Sequence, residues 1–193
     1  MSQKILREDI LPPDTYSKNR NEVNAEVIKK IKLRRLTTKT FSFLFEDKDT
    51  VLNQINEMVF LENMKDEEEI DRLIEVYSEQ LPGDSELSVS MFIEFEDENQ
   101  MVKELPRLAG IEQSVYLTFD GNELRGIPEE GRSTEVLEST LQYLKFQFTS
   151  SLLEKFLTSK NVYIETRHKT YQEIAKITPE LLEQLKEELR QDH

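Results

Sequence analysis

In the stretch FLFEDKDTVLNQINEM, residues 43–58, Glu46, Thr50, Gln54 and Glu57 follow one another at spacings of four, four and three. On a helix that spacing places Thr50, Gln54 and Glu57 on one stripe, with Glu46 at its foot. Two carboxylates on such a line could do one of two things. Buried, they could carry raised pKa values or hold a hard divalent cation through oxygen, with Glu62 as a further ligand and His168 brought near by the fold. Otherwise the line is a structural hydrogen-bond network that ties the helix to the strand before it, and this second reading is the favoured one.

Other chemistry is scarce. His168 and His193 are the only histidines, and His193 is the last residue. His168 and Tyr171 stand in ETRHKTYQ at the end of an expected strand, where a histidine is more often a satisfied structural donor than a base. No glycine-rich phosphate loop, G-x-S-x-G elbow or H-E-x-x-H pair occurs. Cysteine is absent, which removes disulfides, thiol nucleophiles and thiolate metal sites. The expectation for catalysis therefore leans to no.

The elements that must position these residues can be read from periodicity. PPDTYSKNR opens a turn that becomes a basic helix over residues 16–36, with Val23, Val27 and Ile31 as its apolar repeat. Lys29, Lys30, Lys32, Arg34 and Arg35 form its dense basic run, a solvated face or a docking surface for an acidic partner. Phe41, Phe43 and Phe45 alternate as a half-buried strand, and Asp47 or Asp49 is placed to cap the helix that follows. A second helix, EEEIDRLIEVYSEQ, ends at LPGD. ELSVSMFIEFE is the clearest strand, with Ser88 and Ser90 expected to face away from the core. SVYLTFDGNELRGI reads as a hairpin turning at Asp120 to Asn122. Residues 127–139 read as a charged, mobile loop. Two more strands follow, TLQYLKFQF and NVYIETR, with a short helix between them. Thr178 and Pro179 start a last helix whose Leu181, Leu185 and Leu189 make a narrow stripe.

This order is not βαβ alternation. It predicts a single α+β domain over residues 1–177, a mostly antiparallel sheet with helices on one face, and a helical extension over 178–193. The 193 residues carry a formal charge of −14, with 33% charged and 37% hydrophobic. Such a charge disfavours nucleic acid and anionic membranes as partners. No apolar run is long enough to span a bilayer and no apolar leader segment opens the chain, so a cytoplasmic location is expected.

Several segments together resemble an uncharacterised bacterial family catalogued as domain of unknown function 3501. They are ILREDILPPDTY, the pair Arg34–Arg35, LFEDKDTVLNQINEMVFLE, IDRLIEVYSEQLPG with LSVSMFIEFED, and HKTY. The central block carries most of the resemblance, through Phe45, Glu46, Thr50, Gln54, Ile55, Glu57, Met58 and Glu62. The likeness spans roughly residues 3–175. It implies a small bacterial cytosolic protein with no established activity, an accessory to rubrerythrin-like and iron–sulfur oxidoreductase proteins in peroxide or redox defence. The chain departs from the family pattern at Leu73, where a Glu is expected, at Ser78 for Asn and at Lys169 for Pro. The loss at Leu73 weakens any carboxylate cluster.

The sequence thus predicts a non-catalytic interaction protein with a protein partner. The alternative is a carboxylate-based metal protein or enzyme using Glu46, Gln54, Glu57 and Glu62, with a divalent metal as its only candidate cofactor.

Overall fold

The computed structural model describes residues 3–130 and 140–191. Helix α1 (Pro13–Arg34) leads into the short strand β1 (Arg35–Thr37) and then β2 (Phe41–Phe45). Helices α2 (Lys48–Leu61) and α3 (Glu67–Ser78) follow, and then β3 (Glu86–Ile93) and α4 (Glu98–Glu104). The chain continues through β4 (Val115–Phe119), β5 (Asn122–Arg125), β6 (Ile127–Pro128) and β7 (Leu141–Gln147). It ends with α5 (Ser150–Thr158), β8 (Val162–Thr166), β9 (Ile174–Lys176) and α6 (Pro179–Gln191).

The α+β class and the antiparallel pairing hold, but the strands divide between two sheets. One has the order β1-β2-β3-β7-β6 and the other β5-β4-β8-β9, with every pair antiparallel. Only Gly126 separates β5 in one sheet from β6 in the other. A Cβ there would lie 2.8 Å from Phe146 Cζ, so any larger residue at the crossing would have to displace the buried Phe146 ring. Asp120 and Gly121 both have positive φ, 47° and 76°, the geometry that a two-residue hairpin needs between β4 and β5.

The main core lies between the sheets. Phe41, Phe43 and Phe45 of β2 face it beside Val89 and Met91 of β3, and Leu117, Phe119, Val162 and Ile164 enter from the second sheet. Leu181, Leu182, Leu185 and Leu189 belong to the same cluster. Residues 178–191 are therefore part of the domain's core rather than an extension to it. Thr178 starts α6 as expected, its Oγ1 accepting from the Leu181 amide (3.3 Å).

Two further expectations change. Strand β2 is buried at every position, and Ser88 and Ser90 of β3 are buried as well, because α2 begins directly above them. Residues 127 and 128 pair with β7, while 131–139 of the expected mobile loop lie outside the described residues. A second, smaller core joins Ile5, Val51, Ile55, Val59, Ile70 and Leu81, so α2 and α3 pack on each other beside the sandwich.

Candidate functional site

The β2–α2 junction is built by local chemistry. Asp47 is the N-cap of α2: its Oδ1 accepts from the Thr50 amide (2.9 Å), and its own amide donates to Thr50 Oγ1 (2.9 Å). That box fixes Glu46 one residue upstream, facing inward. Glu46 is 2% exposed. Its Oε1 accepts from Ser90 Oγ (2.7 Å) and from Gln54 Nε2 (3.3 Å), and its Oε2 contacts Thr50 Oγ1. Burial pushes its carboxyl above the ordinary range, against the pull of Ser90 and Thr50.

Glu57 belongs to a different network. It turns to α1, where Tyr16 donates its hydroxyl to Oε1 (2.6 Å) and Asn24 Nδ2 donates to the same oxygen (3.2 Å). Arg20 grips both oxygens through Nε (2.9 Å) and Nη2 (2.8 Å), and its guanidinium also covers the Phe60 ring at 5.0 Å. The Arg20 bonds hold the Glu57 carboxyl down at about 2, outweighing its partial burial. Burial, and then Glu57, push the Tyr16 phenol upward. The sequence stripe therefore divides: Thr50 and Gln54 bond to Glu46, which bonds to Ser90 of β3, while Glu57 bonds to α1.

A pH dependence follows from Glu57. Its folded value lies below the ordinary 4.5, so its stabilising effect is complete above 4.5 and is lost as the pH falls through about 2. Urea titrations at a series of acidic pH values should show wild type losing stability over that interval. Glu57→Gln should lose correspondingly less.

The remaining candidates lie elsewhere. Glu62 is exposed at the C-cap of α2. His168 is buried in the turn between β8 and β9, its Nε2–H donating to Ala109 O (3.0 Å) and its Nδ1 accepting from the Thr170 amide (3.2 Å). Its neighbour Tyr171 donates to Glu104, and burial together with Glu104 raises that phenol to about 12. HKTY thus straps the β8–β9 turn to the end of α4 and to Ala109 beyond it. Leu73, where the family pattern has Glu, packs against the smaller core. Among the described residues, no group of three or more His, Asp and Glu side chains is placed to hold a metal ion.

The basic run divides too. Arg34 is 1% exposed. It donates through Nε to Phe45 O (2.6 Å) and as a fork to Glu188 of α6 (2.6 and 3.1 Å), with Asp47 at 3.5 Å. Lys30 bridges Asp47 (2.6 Å) and Asp49 (2.5 Å). Arg35 lies over the Phe92 ring at 4.9 Å and near Glu94 at 3.8 Å. Lys29 and Lys32 remain exposed and make no ion pair among the described residues.

The fold and these networks define a class: a two-sheet α+β domain whose polar signature residues clamp its helices to its core. The family model described as Protein of unknown function (DUF3501) matches residues 4–189, and the chain belongs to that family. The match runs to residue 189, within α6, and so takes in most of the segment read from sequence as an extension. A crystal structure of a protein of unknown function from Burkholderia pseudomallei K96243 is similar throughout, with a TM-score of 0.90 and 30% identity. That match covers 97% of this chain and 100% of the other. No curated protein matches. No helix of the described residues is long and apolar enough to cross a membrane.

Proposed function

We propose that the protein is a non-catalytic accessory protein that docks an acidic surface of a protein partner through the outer face of α1. One observation carries this reading. Of the five cations in the basic run, Lys30, Arg34 and Arg35 are engaged within the chain, which leaves Lys29 and Lys32 exposed beside Ile28, itself 50% exposed. Positions three and four apart share a helix face, so these residues form one cationic patch around an apolar side chain on a protein of net charge −14. Such a patch favours a partner with acidic residues around an apolar pocket. The partner class suggested by the family resemblance is a rubrerythrin-like or iron–sulfur oxidoreductase protein of redox defence.

The test is a calorimetric titration of the purified rubrerythrin-like and oxidoreductase proteins of the same genome with wild type and with the double variant Lys29→Gln/Lys32→Gln. The variant should bind about tenfold more weakly, with a flatter salt dependence and an unchanged melting temperature. Equal affinity for wild type and variant would remove α1 as the docking face. Absence of wild-type binding to either protein would remove the redox partners.

A further inference from the structure

Thr50 Oγ1 has one hydrogen to give and three polar neighbours. It accepts from the Asp47 amide (2.9 Å), lies 3.1 Å from Asp47 O, and contacts Glu46 Oε2. Asp47 O also accepts from the Val51 amide (3.1 Å), so Thr50 is free to donate to either oxygen; with Glu46 neutral, both contacts are kept. Its acid O–H donates to Thr50 Oγ1, and Thr50 passes its own hydrogen to Asp47 O. Glu46 Oε1 meanwhile accepts from Ser90 and Gln54. An ionised Glu46 would still have Thr50, Ser90 and Gln54 as donors. All three are neutral, however, and Glu46, Thr50 and Ser90 are 2% exposed or less, so a full negative charge there would be met by neither a bonded cation nor bulk water.

The surrounding charges point the same way. From α2, the neighbouring Asp47 is a like charge, with Lys30 (2.6 Å) and Arg34 (3.5 Å) of α1 beside it. Asp49 shares Lys30, and Glu57 is turned toward Arg20. The Arg34 fork is taken by Glu188 of α6, and the guanidinium reaches Glu46 only at its backbone oxygen (3.4 Å). From β3, Ser88 and Ser90 bring no charge. Among the described residues, no cation is bonded to the Glu46 carboxyl.

We propose that Glu46 is held as the neutral acid in the folded protein, donating to Thr50 Oγ1, and that its ionisation as the pH rises loosens the β2–α2 junction to which Arg34 anchors α1. Burial of the carboxyl acts in the same direction. The sign is opposite to that at Glu57. The folded chain holds a proton that the unfolded chain releases near 4.5, so this contribution to stability falls as the pH rises from there to the raised folded value and is level above it. A neutral Glu46 thus makes the junction tightest in mild acid. The device is independent of what docks on α1.

The experiment is carbon-detected NMR of the glutamate carboxyl carbons of the full chain as a function of pH, with Glu46 assigned from its own backbone, alongside Glu46→Gln. The Glu46 carbon should titrate above the exposed glutamates. Exchange of the Thr50 and Val51 amides, corrected for base catalysis, should quicken as it ionises, and should not do so in Glu46→Gln. A Glu46 carbon titrating with or below the other glutamates overturns the proposal. So does an unchanged exchange rate across its titration. The wild-type spectrum decides the protonation state even if Glu46→Gln does not fold.

Discussion

Arg34→Ala is expected to destabilise the protein by about 3 kcal/mol, read as a lowered urea midpoint at unchanged slope. The substitution withdraws a buried fork from Glu188, a donor from Phe45 O and a cation from beside Asp47. The Glu188 side chain is 27% exposed and can be partly rehydrated, which keeps the loss at the lower end for a broken buried pair. Arg34→Lys should recover only part of it, because an ammonium cannot fill the bidentate geometry and also reach the Phe45 carbonyl. An Arg34 that served only a partner would give a loss near zero. The same measurement on Lys29→Gln and Lys32→Gln should show that null effect, since both side chains are solvated.

Leu185→Ala should cost about 2–5 kcal/mol. Leu185 is fully buried with Leu181 in the cluster that also holds Phe43, Phe119 and Phe156. Removing its branched end leaves a cavity in a core that two sheets and a helix hold rigid. Were α6 an appendage, the same change would fray one helix and leave the sandwich at its original midpoint. Lys186 reinforces the seat, donating to Ser159 O at 2.6 Å from a buried position.

What could be read from the sequence follows the range of the interactions. The start of α2 was legible because the Asp47–Thr50 box is local, and the β4–β5 hairpin because Asp120 and Gly121 supply the positive φ values themselves. Strands β1, β6 and β9 are three residues or fewer, too short for alternation to show. The two-sheet architecture depends on β7 pairing with β3, for example Met91 with Gln142 and Leu87 with Phe146, and on a crossing at Gly126, and neither leaves a periodic trace. Hydrophobic patterning places arginines outside, so the burial of Arg34 could be seen only once Glu188 was known to meet it.

The candidate site was half legible. The Glu46–Thr50–Gln54 line was visible in the spacing, but its tie was expected to the strand before the helix and runs instead to Ser90 of β3. The separate fate of Glu57 was not, because its partners lie on α1, more than thirty residues earlier. A signal for them existed: Tyr16, Arg20 and Asn24 recur every four residues and form a polar stripe complementary to that of α2.

The central claim is that the carboxylates of Glu46 and Glu57 are bonded within their own chain. The most direct test is a double-mutant cycle in urea on Tyr16→Phe and Glu57→Gln. The account predicts that the pair couples by roughly 1 kcal/mol, the bond the two residues share, while Glu57→Gln loses the Arg20 pair in addition. Additive effects with Glu57→Gln as stable as wild type would contradict it, and would return Glu57 to the role of a free carboxylate awaiting a ligand.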